Sequence, residues 1–131
     1  MKIRFVYWIF PVFIIKTEKF LKEWQDGYSF VFFVLMKEYI FENEASIIHE
    51  LEHTKQFLRT FGLHSLLYYL SKKYRLRAEV EAYVLQIKTI LKTTNLSDKK
   101  RLAENFGMVL YKYYDLDISY KEAVNLLLEK I

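Results

Sequence analysis

The order of apolar patterns along the chain predicts an α+β fold, a small N-terminal β-sheet packed on a mostly helical C-terminal half. Three observations carry this. Two long early runs, MKIRFVYWIFPVFII and YSFVFFVLMKEYIF, are rich in the aromatic and β-branched residues that suit a pleated surface. Beyond Gly62, apolar residues recur at helical spacing to the end of the chain. Three glycines and one proline leave few places for long loops. At 131 residues the chain has the size of one domain, and residues 1–131 are read as a single domain.

The first run begins with basic residues and turns apolar, as a signal peptide does, but it has no small-residue cleavage site. It is also too short to span a bilayer as a helix. A buried or partly buried strand is expected there, with Pro11 marking a bulge, edge or break, and a cytoplasmic setting follows. In TEKFLKEWQDG, Phe20, Leu21 and Trp24 have helical spacing before Gly27, which fits a short helix or a turn. The second apolar run is one strand, or two broken near Met36, Lys37 and Glu38. Asn43 or Ser46 can cap the next helix, with Glu44 at its positive end. That helix should run to about Phe61 and stop at Gly62.

Four helical segments follow. HSLLYYLSKKY makes a short helix, and residues 78–92 make a longer one with Val80, Val84, Ile87 and Leu91 along one face. Asn95, Leu96, Ser97 and Asp98 cap a helix to about Tyr113. Ser119 and Glu122 form a capping box for YKEAVNLLLEKI.

Composition narrows the chemistry. The absence of cysteine excludes disulfides, thiolate metal sites and cysteine nucleophiles, so any metal must be held by histidine and carboxylate. The net charge of +4 is modest, and the basic clusters at residues 72–75 and 98–101 read as solvated helix ends. No nucleic-acid partner is expected, and no membrane contact.

The chemistry is concentrated in HELEH, residues 49–53, which holds two of the three histidines. Residues four apart on a helix lie one turn above each other, so His49 and His53 can aim both imidazoles at one ion. Glu50 lies about a quarter-turn round, where its carboxylate can reach a water on the metal rather than the metal itself. The H-E-x-x-H pattern therefore places two ligands and a general base within five residues. The alternative is an exposed face of alternating charge with two ordinary histidines.

HELEHTKQ followed by YRLRAEVEAY resembles the small gluzincin-type zinc metallopeptidases, the minigluzincins, over about residues 28–90. The resemblance implies a zinc-dependent peptidase with a minimal zincin-like fold, acting on peptide or protein substrate. It implies Zn2+ on His49 and His53, Glu50 as the base that activates a zinc-bound water, and Gln56 as the family glutamine. A second helix would supply a glutamate as third ligand, and extended peptide would lie along the strand segment between Tyr28 and Phe41. Where related enzymes carry an acid that supports a histidine four residues beyond that ligand, this chain has Tyr83.

Glu79 and Glu81 compete for the third position. They point about 200° apart on a helix, so one alone can face the metal. Glu79 lies on the flank of the apolar stripe widened by Tyr83 and Ile90, and Glu81 on the polar side with Lys88, which favours Glu79. The counter-argument is that Glu81 precedes Ala82, as the thermolysin ligand precedes an alanine. Tyr68, Tyr69, Tyr74 and Tyr83 are candidates to donate to a developing oxyanion. His64 reads as a surface residue at a helix start, and Gln56 equally as a solvated helix residue. The competing function is a non-catalytic interaction protein that keeps the fold, with a vestigial or structural metal site.

Overall fold

The computed structural model describes residues 1–93 and 98–131. The fold is α+β, with a four-stranded mixed sheet in the N-terminal part and helices beyond it. The chain divides into two compact units, Met1–His64 and Ser65–Ile131. Among the described residues no helix is long and apolar enough to cross a membrane.

In the first unit the opening run is a hairpin rather than one strand: β1 (Lys2–Val6) pairs antiparallel with β2 (Phe10–Lys16). Tyr7 and Trp8 reverse the chain at φ of 51° and 64°, values that favour glycine or asparagine, so the residues themselves carry no turn signal. Pro11 sits opposite Phe5, before β2 begins its pairing with the next strand at Phe13, and its missing N–H does not interrupt that ladder. Residues 17–26 form turns and bends and no helix. The side chains of Thr17 and Gln25 accept from the backbone N–H groups of Lys19 and Lys22 at 3.0 Å, a local alternative to helical bonding.

The second apolar run is also a hairpin. β3 (Gly27–Phe30) and β4 (Phe33–Met36) pair antiparallel, with the break at Val31 and Phe32 rather than near Met36. Val31 takes a left-handed φ of 52°. β4 lies parallel to β2, giving the order β1-β2-β4-β3 with β1 and β3 at the edges.

A single 3-10 turn, Glu38–Ile40, leads into α1 (Glu44–Arg59). Asn43 is the cap, its side chain accepting the Ser46 N–H at 3.1 Å. The helix ends two residues before Phe61. Gly62 N–H donates to the Phe57 carbonyl at 2.9 Å and Phe61 N–H to that of Leu58 at 3.2 Å, a Schellman closure in which Phe61, at φ 52°, holds the left-handed position. Val12, Ile14, Val34 and Met36 from the sheet bury against Phe41 and Ile47. Lys2 and Arg4 of β1 reach Glu42 at 2.7 Å and Glu44 at 3.0 Å, at the approach to the helix.

The second unit is helical. α2 (His64–Leu70) is followed at once by α3 (Lys72–Thr93), which starts six residues earlier than its apolar stripe suggests because Ser71 Oγ accepts the Tyr74 N–H at 3.1 Å. α4 (Lys99–Tyr113) is capped by Asp98, which accepts the Arg101 N–H at 2.9 Å; the Asn95, Leu96 and Ser97 part of the expected cap lies outside the described residues. α5 (Tyr120–Lys130) carries the expected capping box of Ser119 and Glu122. Ile87, Ala103, Leu110, Ala123 and Leu127 form the centre of its core.

Gly107 lets α4 approach α5. A Cβ there would stand 2.7 Å from Val124 Cγ2 and 3.2 Å from the Val124 backbone nitrogen. Gly107→Ala should therefore destabilise the protein by roughly 1–3 kcal/mol in urea unfolding, as overpacking does. Val124→Ala in the same chain should recover part of the loss only, because the backbone contact remains.

Candidate metal centre

α1 decides where the histidines go. Asn43 fixes its start and Ile47 anchors one side in the sheet core, so the residues that follow within the next two turns have a set rotation. His49 and His53 come together on that helix, ring centroids 5.1 Å apart and nearly perpendicular, and both are buried. They are not an exposed alternating-charge face.

His53 Nδ1 lies 2.9 Å from Gln56 Oε1. With the proton on Nδ1, that nitrogen donates to the amide oxygen and Nε2 carries the lone pair, which is how a second partner orients a ligating imidazole. Gln56 is thus buried and bonded to a histidine on its own helix, rather than solvated. His64 is likewise buried, its ring 5.7 Å from that of His53, and is not the surface residue expected at a helix start. Glycine gives no cue for this: Gly62 turns the chain at φ 84°, and it is the three-dimensional turn that brings His64 back to α1.

Glu50 is buried against the first residue of the edge strand. A Cβ on Gly27 would stand 2.8 Å from Glu50 Oε1 and 3.0 Å from its Cδ, so the glycine makes room for the carboxylate. One turn further along α1, Thr54 Oγ1 meets Ser29 Oγ at 3.2 Å, which ties the same helix to the same strand. Asp26, next to Gly27, takes the Tyr39 hydroxyl as donor. Burial raises the pKa of its carboxyl above the ordinary value, while the charges of Lys37 and His49 pull it back. Glu52, also buried, pairs with Arg59 and stands 3.9 Å from Lys55, a structural ion pair on the same helix.

Glu79 belongs to the second unit. Its side chain is 2% exposed on α3, and Tyr68 of α2 donates its hydroxyl to Oε1. Burial, then the charge of Glu79, pushes the Tyr68 hydroxyl far above the ordinary tyrosine value; Tyr114 is raised by the same two causes in the same order. Tyr83 meets Tyr114 hydroxyl to hydroxyl at 3.0 Å. Arg75 braces the cluster by donating to the backbone carbonyls of Tyr68 at 2.8 Å, Tyr114 at 3.0 Å and Asp115 at 2.9 Å. Of the other tyrosines singled out in the sequence, Tyr69 is exposed and Tyr74 lies under the Arg77 guanidinium. Glu81 is only half-buried.

No family model matches the chain, and neither does any curated protein or solved structure.

The Tyr68 hydrogen bond goes to a buried carboxylate, whereas the Tyr83 bond joins two neutral hydroxyls. Tyr68→Phe should cost about 1.5–3 kcal/mol in denaturant unfolding and Tyr83→Phe about 0.5–1.5 kcal/mol. Equal losses would show that the bond to the carboxylate is no stronger than the bond between the two hydroxyls.

Proposed function

We propose that this protein is a zinc-dependent metallopeptidase with His49, His53 and Glu79 as metal ligands and Glu50 as general base. The observation that supports it best is the grouping on α1: two buried imidazoles in contact, one oriented by Gln56, beside a buried glutamate that lies against an edge strand. Imidazole nitrogens and a carboxylate oxygen are the donor types that zinc accepts, and each of the three residues offers one such atom. Glu79 is preferred to Glu81 because a buried carboxylate needs strong partners, and a half-exposed one does not.

Bound zinc would supply a lowered pKa for the attacking water and polarise the scissile carbonyl. Glu50 would act as the base, taking a proton from the attacking water and passing it to the leaving amine. β4 lies between β2 and β3, so within the segment 28–41 the backbone edge open to a substrate is that of β3, Gly27–Phe30. An extended peptide paired there would run past Gly27, where the Glu50 carboxylate sits. A cytoplasmic setting accords with a chain that contains no cysteine.

Purified protein should contain close to one zinc per chain by elemental analysis, with binding that weakens as pH falls because both imidazoles must be neutral to ligate. His49→Ala or His53→Ala should abolish tight binding. Glu79→Gln should weaken it by at least 10–100-fold, while Glu81→Gln leaves it nearly intact; the reverse transfers the role to Glu81. Glu50→Gln should keep zinc and lose cleavage of a mixed peptide library. A zinc-loaded wild type that cleaves nothing would instead make the protein a binding module.

Gly27→Ala offers a separate check. The added methyl group displaces the Glu50 carboxylate without touching a ligand, so turnover should fall while zinc content stays unchanged.

A further inference from the structure

We propose that the sheet face turned away from α1 is the contact surface for a second copy of this chain. Alternation along the strands sends Val12, Ile14, Val34 and Met36 to the helix side and a different set outward. In the strand register, Ile3 stands opposite Phe13, Phe13 opposite Phe33, and Phe33 opposite Phe30, so one apolar row crosses all four strands. Phe13 and Phe33 stack with ring centroids 5.7 Å apart. A sheet with one face in water ordinarily carries polar residues on that face. This one carries Ile3, Phe5, Tyr28, Phe30 and Phe33, all between 47% and 62% exposed.

The charged residues of the strands all point the other way. Lys2, Arg4 and Lys16 face the α1 side and pair there with Glu42, Glu44 and Glu38. The outward face of the strands therefore holds no carboxylate, ammonium or guanidinium. Pairing the face with itself about a two-fold axis brings no like charges together, which is the condition a self-complementary interface must meet. The strands themselves also present no basic group on this face for an anionic lipid surface.

The size fits as well. Aromatic side chains carry roughly 150–250 Å2 each. Half-exposed on this face, and joined by the hairpin tip where Trp8 is 97% exposed, they present on the order of 800 Å2 of apolar surface. That matches one partner's share of a standard interface, and exceeds the roughly 300–600 Å2 of the largest patch on a typical monomer. Packing two such faces about 10 Å apart would leave the hydrogen-bonding edge of β3 open.

Sedimentation velocity of the full chain across a concentration series should show a monomer–dimer equilibrium. Phe5→Asp and Phe33→Asp, each on the exposed face, should weaken dimerisation at least tenfold with the circular dichroism spectrum unchanged. Phe61→Asp, at a still more exposed position just beyond the end of α1, should leave it unaltered. A wild type that stays monomeric at every concentration overturns the proposal, as does a dimer indifferent to both face variants. A monomer that co-sediments with phosphatidylcholine vesicles also overturns it, in favour of a lipid surface.

Discussion

The polar side chains that α1 takes out of water are the constraint on which the first unit depends. Ala45 and Ile47 are the apolar residues the helix buries fully; Ser46, His49, Glu50, Glu52, His53, Thr54 and Gln56 are buried with them. Burying such groups is unfavourable unless each finds a partner. The surroundings are arranged accordingly: Gln56 meets His53, Ser29 meets Thr54, Arg59 meets Glu52, and Gly27 gives up its side chain for Glu50. An apolar helix would pack on this sheet with less difficulty. One that buries this set is organised around those groups, and that gives the candidate site its physical weight.

The second unit handles a buried acid by a different route. Phenols gather at Glu79, with Tyr68 donating directly and Tyr83 and Tyr114 linked to each other nearby. Arg75 supports the arrangement through three backbone carbonyls. Tyr83 packs on Phe106 and bonds to Tyr114 as part of the core.

Elements with a periodic or chemical signature could be read from the residues alone. The capping box at Ser119 and Glu122, the cap before α1, the four-residue spacing of His49 and His53, and the strand character of both early runs all depend on neighbours in the chain. The two hairpins could not be read, because Tyr7, Trp8 and Val31 occupy left-handed backbone positions where turn residues are expected. Surrounding structure over-determines those turns. His64 and Gly27 were out of reach for a related reason, and Gln56 was singled out by the resemblance without its partner: each matters through a contact made in space, and Gln56 and His64 carry polar groups that usually face water. The preference for Glu79 over Glu81 comes from the breadth of one apolar stripe and from counting back four residues from Tyr83; on α3 Glu79 is buried and Glu81 half-buried.

The parallel pairing of β2 with β4 has a kinetic consequence. β1 reaches Glu42 and Glu44 across forty residues of chain, and β2 must wait for β4 to pass β3 before it gains its second neighbour. Contacts so distant in sequence close large loops before they return any stabilisation, and such topologies form slowly. The helices of the second unit draw on neighbours such as α4 and α5, joined by a short connection, and belong to the fast end of that scale. While a newly made chain is still assembling its sheet, the aromatic hairpins stand open with unpaired strand edges. For that interval the protein's exposure to misassembly is set by how quickly β4 arrives, and hardly by the stability of its helices.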